Sequence, residues 1–479
     1  MFAPPTRVQR DTEHERLARV GCALLQHGHL ARSGAASPLW SSLLPQLSHA
    51  VPAVNAAAAA LGAVYDASVL ATAGSGSGTI RAARQYGIAL HVIQHDLVAQ
   101  PHGSMPLLLS CVLLACTEVL QWRSLNALAH LQGALKVLCQ RDASASSSFG
   151  TDDSTDGKNH GAEVSAFAPQ DELDVLLAVL DIQAASYALG QPPNLPELDM
   201  QPLLSIPQSM RSASDLELHV IQTIHSGYRF AHTASHHKYL PHASVPPSLA
   251  IQQGRHIARL RLCLSLLSVS CRPVPGLPAP PARPPLPHRQ SLILRTHCLA
   301  TLIYLSSTTQ PHEGSYDAHA ASFRQIILDG QAVLSAPSSS AQRAGLGHFS
   351  PGLGVLQPLF ITALKYREPA WRRQAIAMLG TGGRDGPWCG RVLAAVAARA
   401  VQIEEVGGGW GEGRGELAGT VGERERLHGC GIDLDAVGDG VVDLGVTFSR
   451  CADVERMLGA ASGWGDESNW HIWTEKVAF

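Results

Sequence analysis

The sequence predicts an all-α protein, an irregular multi-helix domain with disordered linkers between its blocks. Three observations carry that expectation. Apolar residues recur at helical spacing in block after block, β-branched residues are scarce against Ala and Leu, and clusters of Gly, Pro and Ser divide the blocks. The 479 residues are 45% hydrophobic and only 16% charged. That balance supplies a large core and excludes wholesale disorder, which needs few apolar residues and much net charge.

The elements follow in order. Between Val54 and Val69 the residues Val54, Ala57, Ala58, Leu61, Val64 and Tyr65 repeat as one helix face, with Pro52 at its entry. GSGSG at Gly74 to Gly78 breaks the chain. Ile80 to Val98 resumes with Tyr86, Leu90, Ile93 and Leu97 on one side and stops before Pro101. Met105 to Leu120 and Ser124 to Cys139 follow as a helical hairpin. Helix returns at Asp171 to Ala188, whose acidic first turn (Asp171, Glu172, Asp174) suits the positive end of a helix dipole. Gln191 to Pro207 reads as extended, then Leu216 to Phe230, Ser248 to Ser270, Ser291 to Ser306 and Ser322 to Leu334 as helices. Val355 to Lys365, Pro369 to Leu379 and Val392 to Val406 complete the set.

The expected organisation is therefore an N-terminal tail over 1–36, a first helical block over 37–140, and a disordered Ser, Asp and Gly linker over 141–168. The remaining helical domain covers 169–406, interrupted at about 272–289, where eight prolines fall in the fifteen positions 273–287. A Gly-rich segment and C-terminal tail, 407–479, close the chain. The longest apolar run, Met105 to Leu120, holds Pro106 and Glu118 and is short of the ~20 residues a bilayer needs, so a buried helix is expected and no membrane partner. The first residues are too charged and Pro-rich for a signal peptide, and the ten cysteines read as reduced intracellular thiols.

The candidate chemistries are weak one by one. Asp152, Asp153 and Asp156 spell the DDxxD of helical terpenoid synthases, yet they lie in the linker and read as solvated acids. His91 and His95 stand at i, i+4, but Val92 occupies the place of the glutamate that a zinc hydrolase needs. His232, His236 and His237 cluster with no cysteine or acid beside them. No glycine cluster has the lysine of a phosphate-binding loop, no GxSxG elbow occurs, and no CxxC pair marks a zinc module. The expectation is no catalytic, cofactor or metal site, hence no enzyme. Arg255, Arg259 and Arg261, like Arg367, Arg372 and Arg373, read as solvated faces or helix-helix bridges. Net charge is −3 and only five lysines occur, so direct DNA reading is expected to be absent or weak.

Three stretches together resemble one family. SPLWSSLLPQLSHAVPAVNAAAAALGAVYDA, Ser37 to Ala67, is similar to the opening of the regulatory domain of fungal zinc-cluster transcription factors. Tyr86 to Leu138, entered through RQYGIALHVIQHDL and continued as LLLSCVLLACTEVLQWRSLNALAHLQGALKVL, resembles that family's next three helices. LQPLFITALKYREPAWRRQAIAMLGTGGRDGPWCGRVLAAVAARAVQIEE, Leu356 to Glu405, resembles its late block. The resemblance implies a packed helical domain in which Leu47, Leu61, Tyr65, Leu113, Leu120, Leu131, Phe360, Trp371 and Trp388 are core and Arg372 and Arg373 cap or bridge helices.

The family's six-cysteine zinc cluster has no counterpart here, since the 36 residues before Ser37 hold only Cys22. The chain is thus expected to be either a truncated reading or a stand-alone regulatory domain. The resemblance implies a nuclear transcription regulator, with a pathway gene cluster such as one for secondary metabolites under its control. Its partners would be the transcription machinery or a zinc-cluster protein that carries the DNA-reading head, with a small-molecule effector possible in the bundle. The alternatives are an all-α small-molecule enzyme, terpenoid-type or tailoring, and a helical scaffold.

Overall fold

A computed structural model of the chain describes residues 7–27, 39–70, 77–99, 105–121, 123, 126–127, 129–134, 169–187, 193, 213–240, 244–270, 286–335, 349–350, 352–407, 421–432, 443–455 and 469–479. It is predominantly all-α, with short strand pairs added. The chain forms two compact units, one of residues 1–180 with 343–347 and the other of 181–342 with 348–479.

The first unit is built around one Ala-rich helix. α1 (Arg7–His27), α2 (Leu44–Ala50), α4 (Ser77–Ala99) and α5 (Met105–Leu120) all pack on α3 (Pro52–Leu70). Every residue of α3 from Ala56 to Val64 except Gly62 is a buried apolar side chain, so α3 is apolar all round and wrapped on all sides. Small residues let the neighbours come close. A Cβ added at Gly62 would stand 2.9 Å from the Leu17 carbonyl carbon and 3.1 Å from the Gly21 nitrogen, so α1 and α3 touch backbone to backbone. The segment expected as an N-terminal tail thus holds α1, which buries Leu17, Ala18, Cys22 and Leu25. A glycine-to-glycine crossing leaves no hydrophobic stripe to read, which is why the sequence pattern understates this helix.

In the second unit α9 (His288–Ser307) lies at the centre, against α7 (Ala213–Ser235), α8 (Pro247–Ser270), α10 (Ala320–Ser335) and α11 (Leu356–Lys365). α12 (Pro369–Thr381) and α13 (Gly390–Gly407) pack on α11 and on each other. α6 (Pro169–Tyr187) contributes to this unit from Asp181 on. β1 (Phe349–Ser350) pairs parallel with β2 (Arg384–Asp385), which pairs antiparallel with β3 (Trp388–Cys389). The segment expected as a C-terminal tail carries an antiparallel sheet, β4 (Gly429–Ile432), β5 (Asp443–Cys451) and β6 (Trp470–Ala478), with β5 central. Leu444, Val446 and Phe448 are buried on β5 at period two, a strand alternation that the expectation of a tail did not include.

The expected helices match closely, from Met105–Leu120 to Pro369–Thr381, and within Ser124 to Cys139 residues 129–134 are helical. Of the expected core, Leu61, Leu113, Leu131, Phe360 and Trp388 are buried, while Leu47, Tyr65, Leu120 and Trp371 are half-buried. The linker 141–168, with Asp152, Asp153 and Asp156, and most of the Pro-rich stretch lie outside the described residues. Among the described residues no single helix is long and apolar enough to cross a membrane, and no cysteine is in a disulfide.

Candidate functional site

The second unit contains a cavity of about 460 Å³ bounded by α7, α9, α11, α13 and β4. Its wall is aromatic and apolar, with Tyr228, Tyr304, Tyr316, Phe360, Trp388 and Leu364. Its floor is ionic. Local sequence explains how charges reach so deep. α11 stops at Lys365, and Glu368 caps α12 by accepting from the Ala370 and Trp371 N–H groups, with Pro369 in the first turn. The tight corner Lys365-Tyr366-Arg367 therefore faces inward between two helices.

Two buried carboxylates organise the floor. Glu313, at the start of the 3-10 turn Glu313–His319, accepts from Lys365 Nζ at 2.6 Å, Lys238 Nζ at 3.2 Å and Arg367 at 3.3 Å. Glu404 on α13 accepts from Arg372 at 2.6 Å, Arg367 at 3.0 Å and the Leu427 N–H at 2.8 Å. Arg372 also donates to the Ala363 and Leu364 carbonyls, closing the C-terminal end of α11. At the rim Arg426 pairs with Asp317, and Glu423 accepts from the Glu313 and Gly314 N–H groups. Four cations (Lys238, Lys365, Arg367, Arg372) thus meet two carboxylates (Glu313, Glu404); Lys238, Lys365 and Glu404 line the cavity, and Glu313, Arg367 and Arg372 are bonded to them.

The titration of these groups reflects that surplus. Burial works to raise the Glu313 carboxyl, but Lys365, Lys238 and Arg367 outweigh it and hold the group far below the usual carboxylate range. Glu404 is likewise lowered against its burial, by Arg367 and Arg372. Lys365 is pulled down to about 8, first by burial and then by repulsion from Arg367 and Lys238, against the attraction of Glu313. Lys238 goes the other way: against burial, Glu313 and the neighbouring tyrosines hold it well above its ordinary value. The two ammoniums share one carboxylate, so the first proton to leave the pair belongs to Lys365. His428 is lowered to about 3, chiefly by burial, and stays neutral.

The polar atoms that remain are informative. Lys365 spends its three N–H bonds on Glu313, the Leu427 carbonyl and the His428 carbonyl. Lys238 gives one to Glu313 and lies against the Tyr239 hydroxyl, so a donor is left over. Among the described residues the Gln357 Oε1 and His428 Nε2 atoms are buried without a partner, and both residues line the cavity together with Tyr304 and Tyr316. Such groups cost about 1–3 kcal/mol each when left dry. A cavity with two of them is built to receive something polar at one end.

The residues singled out from sequence fall elsewhere or into new roles. His91 and His95 are exposed on α4, and His232 and His236 meet edge to face at the end of α7, partly on the helix rather than in a loop. Among the described residues no three His, Cys, Asp or Glu side chains stand together as a metal site requires. Arg367 and Arg372 are buried in the ionic floor, and Arg373 bridges to Glu405 from the exposed side of α12. The site residues Lys238, Glu313 and His428 had no motif to announce them, and Lys365 and Glu404, though inside the third stretch, carried no chemical signature there. One signal existed: two of only five lysines in the chain sit here in apolar surroundings.

No protein-family model, no curated protein and no solved structure matches the chain. The likeness to the fungal regulatory domain rests on the three stretches of sequence alone.

Proposed function

We propose that the chain is a transcription regulator of the fungal zinc-cluster type, acting in the nucleus on a pathway gene cluster such as one for secondary metabolites. The observation that carries this reading is the order of the three stretches, Ser37 to Ala67, Tyr86 to Leu138 and Leu356 to Glu405, each of which lies largely in helix. The third stretch supports it further. Its Lys365, Arg367, Arg372 and Glu404 make the buried corner between α11, α12 and α13, so the motif has a structural reason to stay together. These 479 residues hold no paired-cysteine zinc module and carry net charge −3, so contact with DNA falls to a partner bearing the reading head.

Two measurements test the reading. The chain fused to a heterologous DNA-binding domain should change transcription of a reporter carrying that domain's site, and deletion of the gene should shift one coherent set of transcripts. An inert fusion together with an unchanged transcript profile would overturn it.

A further inference from the structure

We propose that the cavity of the second unit is a receptor for a small, mainly apolar organic acid, with its carboxylate on Lys238, Tyr304 and Tyr316 and its body against Tyr228, Phe360 and Trp388. As the effector site of the regulator proposed above, the cavity's role rests on that reading; its capacity to bind such an acid does not.

Size comes first. A volume of about 460 Å³ is within the range of about 300–1,000 Å³ typical of pockets that enclose a drug-sized ligand, and is far more than a trapped water needs. The wall chemistry then selects an apolar, planar body, since aromatic side chains dominate it. The charge of the occupant follows from the floor. Within this network Lys238, Lys365, Arg367 and Arg372 outnumber Glu313 and Glu404 by two, the lysines half-buried at the cavity wall and the arginines fully buried beside them. Removing an unpaired charge from water is expensive, and an anion entering the cavity would offset that cost. A cationic ligand meets the opposite balance, and a neutral one leaves the surplus as it was.

Donor geometry assigns the seat. Arg367 and Arg372 are engaged with Glu313, Glu404 and backbone carbonyls, and Lys365 has no N–H to spare. Lys238 has one, and its ammonium lies 5.9 Å from the centre of the Tyr316 ring. Tyr304 and Tyr316 line the cavity and add hydroxyl donors, and Tyr316 is itself only 4% exposed. A carboxylate accepts well from such a set, because bonds to a charged acceptor are about twice as strong as neutral ones.

The test uses the full chain and three probes of one shape: naphthalene-2-carboxylate, its primary amide and the corresponding methylamine. Isothermal titration at pH 7 should show the acid binding one per chain, at least tenfold tighter than the amide, with the amine weakest. Lys238→Met leaves Glu313 with Lys365 and Arg367, and should reduce acid affinity at least tenfold with little change for the amide. Ile361→Trp, which fills the cavity from its wall, should remove binding of both while the circular dichroism spectrum stays that of the wild type. Equal affinity for acid and amide, no acid binding at millimolar concentration, or a Lys238→Met variant that still prefers the acid would each overturn the proposal. The reporter fusion reads the regulator without any probe, so the two readings fail separately.

Discussion

Gly62→Ala should cost the first unit about 3 kcal/mol, although it adds a single methyl to an Ala-rich helix. The new Cβ would stand 2.9 Å from the Leu17 carbonyl carbon and closer still to its oxygen, where ordinary contact begins at 3.4 Å. Backbone cannot rotate away as a side chain can, so α1 and α3 must part by at least the difference, about 0.5 Å. A gap of that size already forfeits about a quarter of each dispersion contact across the seam. α1 buries Leu17, Ala18, Cys22 and Leu25, and a buried leucine makes roughly 40–60 contacts worth about 0.1–0.2 kcal/mol each. A quarter of those facing α3 comes to about 2–3 kcal/mol, the upper part of the range for overpacked cores. Helix propensity returns at most about 1 kcal/mol of it. Gly87→Ala on α4 is the control, because nothing lies within 4 Å of its added Cβ, and it should stabilise by about 0.5–1 kcal/mol. Hydrogen exchange of the peptide 52–70 in the intact chain should accelerate about a hundredfold in Gly62→Ala and slow slightly in Gly87→Ala. Scanning calorimetry should show the first unit melting roughly 6–12 °C lower in Gly62→Ala. Equal and small effects of the two substitutions would refute the backbone contact between α1 and α3.

Three further outcomes are expected. Glu404→Gln leaves Arg367 and Arg372 buried without their carboxylate and should cost about 3–5 kcal/mol in urea unfolding; Arg373→Ala, one residue along on the exposed face, should cost under about 1 kcal/mol. Asp385 accepts from the Leu356 N–H and is raised from 3.8 to about 6, chiefly by burial, so the folded chain holds a proton there that the unfolded chain has lost. Stability from this group is therefore full below about pH 4 and falls as pH rises to about 6, by no more than about 3 kcal/mol; Asp385→Asn should flatten that slope in pH-dependent melting. Affinity for naphthalene-2-carboxylate should be level around pH 7 and drop roughly tenfold as pH passes through about 8 and Lys365 loses its charge, with Lys238, Arg367 and Arg372 still protonated and Glu313 and Glu404 still ionised.

Sequence pattern reached the helices because most bury one long apolar face: Met105–Leu120 and Leu356–Lys365 begin and end within a residue of the periodic signal. It did not reach α1, whose contact with α3 is made by Gly21 and Gly62, residues that carry no hydrophobic mark. Nor did it reach the C-terminal sheet. β4 is Gly-Cys-Gly-Ile and borrows its place from β5, while β6 alternates around Trp470 and Trp473 with mostly polar residues between. The ionic floor was hidden for a different reason. Lys238, Glu313, Lys365, Glu404 and His428 come from five separate elements, so no local spacing joins them. Lys365, Arg367, Arg372 and Glu404 lie in one recognisable block, where the arginines read as solvated faces or helix-helix bridges; Arg372 does bridge, to Glu404, but from a buried position.

The balance of charge in that floor separates a binding site from a staple. Other ion pairs that tie elements of this unit together carry no excess of cations: Arg295 with Asp329, Arg399 with Glu475, and Arg426 with Asp317 and Glu423. Buried networks of that kind contribute little net stability over apolar packing of the same volume, because desolvation consumes most of the attraction. A network of four cations on two carboxylates gains even less, and Lys365 is pulled down to about 8, by burial first and then by Arg367 and Lys238. Lys238 is the partner of Glu313 Oε1, whereas Lys365 and Arg367 both donate to Oε2, so one oxygen of an already twice-bonded carboxylate depends on it. Lys238 also stands in a turn past the end of α7, where a neutral side chain would serve the backbone equally well. What Lys238 adds beyond that bond is a spare donor and a positive charge on the wall of an aromatic cavity that Tyr304 and Tyr316 also line. A fold carries such a surplus at a place where an anion spends part of its time. Lys238→Met should therefore change the melting temperature by less than Glu404→Gln does, while removing the preference for an acid over its amide. If Lys238→Met instead unfolds the unit as Glu404→Gln does, the surplus is structural and the cavity has no anion seat.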